Sequence, residues 1–536
     1  MVKRIVQHPV SICRPVVQQP IDHGESIQHR IVRVTEDIEC LKRFYSIDIS
    51  PTTVAKLKKY YHEELGELEA LPFQSYNQED KIDFLLLRNF LRRSLRRLEL
   101  DETRTKKMDP LLRPFAPSII QLCEDRQKVA PVDGQVAAQR LEDISKAITS
   151  LMTRLEKGDI EIDKFSAFRA ASAVEQLHHS LAEWFSFYEG YEPLLTWWTS
   201  QPHSQVIVKL EDLAAAIRRN IVGLDPDEED PIVGQPIGYE GLLADLEAEV
   251  IPYTPEELIT IGEKEYIWCE REMKNASREL GFGEDWRRAL EYVKNLYVSP
   301  GQQPQLVREL ADEAIEYVTK NDLVTVPPLA AETWRTFMID KLMSSLKQRP
   351  LLRATVLHEL IPGHHLQLYM ASRYRPYRQL FTTPFWIEGG ALYWEMTFWD
   401  RGFPQSPENR IGMLFWRMHR CARIIFSLKF HMGQMTPQEC IDFLVSRVGH
   451  ERATAEGEVR RSFNGDYSPL YQAGYMLGAL QLRSLRREIV DSGIIGEKEF
   501  HDWILRENQM PIELLRAIMQ DLPLTPEYKP SWKFYG

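Results

Sequence analysis

The chain has 536 residues and a net charge of −12, and 43% of its residues are hydrophobic and 10% aromatic. This length and composition fit a globular protein with a real core, built as one large helical fold in two lobes or as several smaller domains. The acidic balance argues against a nucleic-acid partner, and the lack of any run of 18 apolar residues argues against a membrane span. The sequence does not indicate an oligomeric state.

The N-terminal segment and the cysteines favour a cytoplasmic location. The first thirty residues contain Pro9, Pro15 and Pro20 and have no long apolar core, so they do not match the pattern of a signal peptide. The six cysteines are scattered, without a CxxC pair, and therefore predict neither a disulfide framework nor a zinc ribbon. A reducing compartment is the simplest interpretation.

Helix start signals dominate the chain and predict a mostly α fold. Several pairs of a hydroxyl residue and a proline match the pattern of an N-cap followed by the first helical position. They include Ser50-Pro51, Thr254-Pro255, Ser406-Pro407 and Thr436-Pro437. Glu257 and Glu439 complete capping boxes behind the two threonines. Gly433 and Gly449 predict the ends of the last two of these helices. Strand-like alternation is rare and short.

The clearest break in the chain is at residues 224–240, where an acidic stretch precedes a run rich in glycine and proline. This segment is either a linker between lobes or a long loop on one lobe. We therefore predict an N-terminal helical lobe at 1–223 and a second helical region at 241–536, which contains the histidine-rich segment described next. We expect the two regions to form one intertwined fold.

The segment with the clearest chemical signal begins at His358, within a predicted helix over residues 351–372. In the common zinc-protease motif two histidines four residues apart leave the same side of one helix. Here Pro362 occupies the fourth position after His358, and proline cannot bind a metal. The second ligand therefore has to come from further along the chain.

His364 and His365 are the candidates for that second ligand, and neither reaches a shared ion from a regular helix. At about 100° per residue, His364 would point roughly 120° away from His358, and His365 would lie about 10.5 Å along the axis. The ring of Pro362 clashes with the carbonyl group four residues earlier, and Gly363 permits backbone angles closed to other residues. A break at this point would swing His364 back toward His358. We favour His364 as the ligand, with His365 as the alternative.

Carboxylates near the histidines can supply the general base and a third ligand. Glu359 stands beside the ion without binding it, the position of a base that deprotonates a metal-bound water. Catalytic zinc usually keeps three protein ligands, and Glu388, on a second apolar helix 24 residues after His364, can be the third. Glu395, two turns further along that face, would support a ligand histidine from behind. The opposite assignment of Glu388 and Glu395 is the alternative.

These two segments together resemble a large family known as domain of unknown function 885. The first is His-Glu-x-x-Pro-Gly-His-His-x-Gln, from His358 to Gln367, and the second is Trp-x-Glu-Gly-x-Ala-x-Tyr-x-Glu, from Trp386 to Glu395. The resemblance is clear from about residue 238 to 490. It extends to segments beginning at Thr254, Glu458 and Tyr471.

The resemblance implies a helical, gluzincin-like zinc-peptidase fold, which we expect to be large and two-lobed with its active site in a cleft. It implies one zinc ion per chain, with a general base at Glu359 and ligands at His358, His364 and Glu388. A His/His/Glu ligand set also suits zinc on chemical grounds. The chain departs from the family pattern at Gly390, where tryptophan is common, and at Ser462, where an aromatic residue is usual.

Arg461 and Tyr475 are candidates for stabilising a reaction intermediate. Hydrolysis through a tetrahedral intermediate needs a donor aimed at the developing oxyanion, and a guanidinium or phenol from a C-terminal helix can supply it. The alternative is that Arg461 pairs with Glu458 or another acid and that Tyr475 belongs to the core.

We therefore predict a metal-dependent hydrolase, peptidase- or amidase-like, acting on a peptide or a small-molecule substrate. One alternative is a metalloenzyme for other small-molecule chemistry, such as a biosynthetic hydrolysis, ring opening or elimination. The other is a helical binding protein that holds a metal without turnover. Glu359 argues against this last alternative, because a purely structural metal site does not need a base.

Overall fold

The computed structural model describes residues 24–224, 232–336, 349–465 and 467–536. These residues are mostly helical, as the sequence predicts, and no extended strand of two or more residues occurs among them. None of the helices in these ranges is both long and apolar enough to cross a membrane.

The α-helices fall into an N-terminal and a C-terminal series. The first comprises α1 Ile27–Phe44, α2 Pro51–Glu69, α3 Gln78–Lys107, α4 Asp109–Leu112, α5 Ala116–Gln127, α6 Gly134–Glu156, α7 Lys164–Tyr188 and α8 Pro193–Ile217. The second comprises α9 Gly238–Ala248, α10 Pro255–Glu279, α11 Trp286–Lys294, α12 Gln303–Lys320, α13 Pro328–Thr333, α14 Arg349–Glu359, α15 His364–Ala371, α16 Pro384–Asp400, α17 Pro407–His431, α18 Pro437–Phe443, α19 Arg452–Phe463, α20 Tyr471–Arg486, α21 Glu497–Glu507 and α22 Ile512–Met519. Short 3₁₀ turns lie at Phe73–Ser75 and Pro376–Phe381, and π-helical turns lie at Arg218–Val222, Leu444–Val448 and Arg487–Asp491.

The predicted helix starts are confirmed. Ser50 and Ser406 cap α2 and α17 by accepting hydrogen bonds from backbone N–H groups of the first turn. Thr254 and Thr436 form complete capping boxes at α10 and α18. The predicted ends hold as well, because Gly433 and Gly449 have φ values of 74° and 81°, the left-handed conformation that terminates helices.

Buried hydrophobic side chains form two clusters. The larger cluster unites α1, α2 and α3 with the helices from α9 to α22. The smaller cluster lies within residues 47–222 and is built mainly from α4 to α8. The chain therefore returns to the larger core after completing the smaller one. The predicted boundaries at 1–223 and 241–536 stay a prediction, and the predicted linker falls partly on residues 225–231, outside the described ranges.

A buried ion-pair network joins an N-terminal and a C-terminal helix of the larger cluster. The fully buried guanidinium of Arg378 donates from Nε to Asp83 on α3 at 2.7 Å and from Nη1 to Glu507 on α21 at 2.7 Å. Asp83 also accepts hydrogen bonds from Tyr377 and Gln28. We call these residues the Arg378 network.

Two helices of the larger cluster pack with their backbones in direct contact. A Cβ atom on Gly389 of α16 would lie 2.6 Å from the Cα atom of Gly478 of α20, and a Cβ on Gly478 would lie 2.1 Å from the carbonyl oxygen of Phe385. Side chains cannot approach backbone atoms so closely, so glycine is required at both positions. This contact sets the position of α20 against the face of α16.

Candidate metal centre

The helix predicted over residues 351–372 is interrupted where the proline and glycine indicated. Helix α14 ends at Glu359 and α15 begins at His364, and the Ile361–Pro362 peptide bond is cis. A Cβ on Gly363 would lie 1.9 Å from the carbonyl oxygen of His358, so no larger residue fits here. The φ of Gly363 is −78°, outside the left-handed region, so the close approach is what requires glycine.

This interruption brings two histidines to one carboxylate. The Nε2 atom of His358 lies 3.2 Å from Oε2 of Glu388, and the Nε2 atom of His364 lies 3.1 Å from the same oxygen. All three side chains are buried, and the two imidazole rings are 4.7 Å apart with their planes nearly perpendicular. The three predicted ligands, from α14, α15 and α16, therefore converge on one point.

The outer nitrogen of each imidazole has its own acceptor. Nδ1 of His358 donates to Oε1 of Glu395 at 2.9 Å. Nδ1 of His364 donates to Oε1 of Gln367 at 3.0 Å, and the amide of Gln367 is oriented by its donation to the carbonyl oxygen of Trp386 at 3.3 Å. Such partners fix the tautomer of a metal-binding histidine and its ring orientation. Both Nε2 atoms are therefore left to face Glu388.

A buried carboxylate oxygen within 3.2 Å of two imidazole nitrogens is stabilised by positive charge at that point, either a proton or a metal ion. Burial opposes charge on His358, but its hydrogen bonds with Glu388 and Glu395 prevail and raise the pKa of its imidazole to about 9. Burial likewise opposes charge on Glu388, yet the hydrogen bonds from His358 and His364 hold the pKa of its carboxyl well below its ordinary value. A proton on His358 can supply this charge, and a metal ion would replace it.

Glu359 lies at the same point but is not engaged. One carboxylate oxygen of Glu359 and one ring nitrogen each of His358 and His364 all lie within 4.8 Å of one another. Its Oε2 atom is buried and has no hydrogen-bond partner among the described residues. A buried carboxylate oxygen without a donor is costly and occurs most often where a ligand or a reacting group belongs.

The other predicted site residues occupy different positions. His365 turns away from the centre, where its Nε2 donates to the carbonyl oxygen of Ala330 at 3.0 Å. Arg461 is half-exposed, and its Nε lies 3.0 Å from Oε2 of Glu458, the pairing considered as the alternative from the sequence. Tyr475 is buried, with its ring nearly parallel to that of His358 at 5.8 Å. The structure thus brings Tyr475 to the centre and keeps His365 away from it.

Sequence reasoning missed Tyr471 and gave Gln367 no role. The hydroxyl of Tyr471 donates a short hydrogen bond to Oε1 of Glu388, the carboxylate oxygen that does not face the histidines. Its signal was available, since Tyr471 lies one helical turn before Tyr475 on the same face. Gln367 belongs to the first motif, and Gly390 makes room for it, because a Cβ on Gly390 would lie 2.3 Å from the amide nitrogen.

Comparisons with known proteins place the chain in a family. Two segments, residues 46–336 and 325–519, match the family described as "Bacterial protein of unknown function (DUF885)", and the chain belongs to this family. No curated protein gives a significant match.

Solved structures share the fold at low sequence identity. A candidate lipoprotein of unknown function from Shewanella oneidensis superposes with a TM-score of 0.66 at 17% identity, covering 93% of this chain and 100% of its own. A candidate lipoprotein from Colwellia psychrerythraea superposes with a TM-score of 0.57 at 15% identity, covering 92% and 99%.

Proposed function

We propose that the protein is a metal-dependent hydrolase, peptidase- or amidase-like, with one zinc ion per chain. The observation that supports this most strongly is the convergence of His358 Nε2, His364 Nε2 and Glu388 Oε2, whose other polar atoms already have partners. Two imidazoles and one carboxylate form a donor set that suits zinc, and three protein ligands leave a position for substrate or water. When bound, such an ion supplies a Lewis acid that polarises water and a substrate carbonyl group.

The residues around this point can supply the general base and the groups that orient the ligands. The unpartnered oxygen of Glu359 can take a proton from the attacking water and later return it to the leaving group. Glu395 and Gln367 hold the two ligand imidazoles in one tautomer. Tyr471 fixes the orientation of the Glu388 carboxylate.

Tyr475 is the proposed donor to the oxyanion. Burial raises the pKa of its phenol, so the hydroxyl stays protonated and can donate at neutral pH. Arg461, being half-exposed, is assigned to the substrate side of the site.

The two-lobed, metallopeptidase-like form with a cleft and the cytoplasmic location belong to the same proposal. The runner-up functions are a metalloenzyme for other small-molecule chemistry and a metal-holding protein without turnover. The free oxygen of Glu359 favours an enzyme over the last of these, because a structural site gains nothing from an unpaired buried carboxylate.

The test compares a ligand variant with a base variant. In His358→Ala the zinc content measured by elemental analysis should fall from about one ion per chain to near zero. Glu359→Gln should keep its zinc yet lose about a hundred- to ten-thousand-fold in turnover. Turnover is screened with zinc-loaded protein on pooled dipeptides, blocked peptides and non-peptide amides. Equal zinc in wild type and His358→Ala would refute the metal centre, and full activity of Glu359→Gln would refute the base.

A further inference from the structure

We propose that three arginines beside the metal centre, Arg420, Arg423 and Arg461, form a subsite for a carboxylate of the substrate. We call them the arginine cluster. The proposal rests on the proposed function and deepens it, because it assigns a substrate class: peptides or amides with a free carboxylate near the scissile bond.

Two members of the arginine cluster, Arg420 and Arg423, lie against the ring of Tyr475. The guanidinium carbon of Arg423 lies 4.4 Å from the centre of the Tyr475 ring, and that of Arg420 lies 5.5 Å from it. The same ring is 5.8 Å from the ring of His358. Arg420 and Arg423 are therefore neighbours of the proposed reacting centre.

Glu458 is shared within the arginine cluster. Its Oε1 accepts from Nε of Arg423 at 2.6 Å, and its Oε2 lies 3.0 Å from Nε of Arg461. One carboxylate thus faces two guanidiniums. Both oxygens of Glu458 are therefore occupied, and Glu458 does not pair with Arg420.

Arg420 is the least satisfied member. It is 8% exposed, its Nε and Nη1 atoms are buried without a hydrogen-bond partner among the described residues, and its nearest carboxylate oxygen is that of Glu395 at 3.9 Å. That oxygen already accepts from His358 at 2.9 Å. A buried guanidinium with free donors is costly unless an anion completes it.

Charge balance gives the sign and the amount of charge that a ligand would have to supply. The metal centre and the arginine cluster together contain four carboxylates, those of Glu359, Glu388, Glu395 and Glu458, against three guanidiniums. The two nearby histidines add no charge, because burial and the adjacent guanidiniums hold the pKa of His419 well below its ordinary value. Burial lowers the pKa of His450 to about 4. With a divalent cation at the metal centre, one positive charge remains. A single carboxylate from the substrate neutralises it.

Distance restricts where that carboxylate lies. The ring separations place both buried guanidiniums within about 11 Å of the His358 ring, the span of about three extended residues. Arg461 is exposed enough to meet the substrate first, and its guanidinium lies 5.6 Å from the ring of Tyr467. The geometry therefore fits a chain terminus, with the C-terminal carboxylate held a few residues or fewer from the bond to be cut.

The experiment measures binding rather than turnover. Zinc-loaded protein is equilibrated by dialysis with a pool of N-acetylated dipeptides, supplied either as free acids or as C-terminal amides. The free acids should bind about ten-fold more tightly or better, the usual scale for a hydrogen-bonded charge. Arg420→Met should bring this preference close to one while the zinc content stays unchanged.

Arg417 provides a matched control on the same helix. It is also buried with unpartnered Nε and Nη1 atoms, but it pairs with Glu265 at 3.0 Å and stacks on Trp268 at 4.1 Å, with no contact to Tyr475. Arg417→Met should keep the preference for free acids. Equal loss of preference in both variants would overturn the proposal.

The remaining outcomes separate the subsite from the proposed function. Arg461→Gln changes a half-exposed residue and should weaken the preference by a smaller factor; an undiminished preference would overturn the subsite even if Arg420→Met does not fold. Equal binding of acids and amides by wild type would overturn it directly. A clear preference for acids without hydrolysis of any pool member would refute the hydrolase and leave the subsite standing.

Discussion

Arg378 and His358 are both almost fully buried, and each lies between carboxylates from distant parts of the chain. Arg378 meets Asp83 and Glu507, and these acceptors are oriented by further donors. His358 meets Glu395 through one nitrogen, while the other faces a carboxylate that it shares with His364. In the Arg378 network both buried carboxylates have donors, and only Nη2 of Arg378 lacks a hydrogen-bond partner within the described part of the chain. Around the proposed metal centre and the arginine cluster, one carboxylate oxygen of Glu359 and the Nε and Nη1 atoms of Arg420 lack partners among the described residues.

The difference separates structural from functional buried charge. A network meant for stability gains from satisfying its groups internally, because each unpaired buried charge costs several kcal/mol. A site meant to bind a ligand must leave some groups unsatisfied so that the ligand completes them. The unused oxygen of Glu359 and the free donors of Arg420 are the groups that we propose a ligand completes, because both lie beside the converging histidines.

The largest effect is expected from replacing the two adjacent histidines, one at a time, by alanine. His364→Ala should abolish stoichiometric zinc binding, because it removes one of the three converging donors. His365→Ala is the matched control and should retain zinc, since this imidazole is bound to the carbonyl oxygen of Ala330. Zinc titration of both variants measures the effect. Strong binding by His364→Ala with loss in His365→Ala would reverse the assignment.

Disrupting the Arg378 network should lower the stability of the protein and leave its metal binding unchanged. Arg378→Met leaves Asp83 and Glu507 buried without their cation, so the free energy of unfolding should fall by about 3–5 kcal/mol. The exposed ion pair of Arg92 with Glu69 is the control, and Arg92→Met should cost at most about 1 kcal/mol. Urea denaturation gives both values. A small change in Arg378→Met would mean that this network is not what holds α3 to α21.

Acidity should act on the metal centre through His358. Its pKa of about 9 in the metal-free protein means that the imidazole carries a proton throughout pH 6 to 8, and zinc has to displace that proton. The apparent zinc affinity should therefore rise about ten-fold per pH unit, or about a hundred-fold from pH 6 to pH 8. Competition with a chelator of known proton affinity measures this. An affinity independent of pH in this range would contradict the proton on His358.

The smallest effect is expected from changing Glu395, the hydrogen-bond partner of the proposed ligand His358. Glu395→Gln keeps an oxygen that can accept from Nδ1 of His358 but removes the charge, so zinc affinity should fall by about ten- to a hundred-fold without loss of the site. The same titration measures it, with wild type as the reference. Complete loss of zinc would instead make Glu395 a ligand and support the opposite assignment of Glu388 and Glu395.

Local signals made much of the fold and the site predictable. N-caps at Ser50, Thr254, Ser406 and Thr436 depend on neighbouring residues alone, and so does the interruption at Pro362-Gly363. The approach of His364 to His358 followed from that interruption. Each of these features depends on a few residues that are close together in the sequence.

Features created by packing were beyond the reach of the sequence. The Arg378 network joins residues 295 positions apart, and the bond from Tyr471 to Glu388 spans 83 positions. Arg420 lies on α17, where the apolar spacing of Ile411, Leu414 and Met418 indicates only a core helix. Which charged residue of a buried helix faces the site depends on neighbours that no local pattern records.

The glycine contact between α16 and α20 has a mechanical consequence. Helix α16 bears Glu388, and α20 bears Tyr471 and Tyr475. Because Gly389 and Gly478 let the two backbones touch, we expect these helices to move as one rigid body, with no side chains between them to deform. Any opening that admits a substrate would then have to come from other elements, such as α19, which carries the half-exposed Arg461. A protein assembled in this way could change which substrates it accepts by changes in those elements, while the spacing of its reacting groups stays constant.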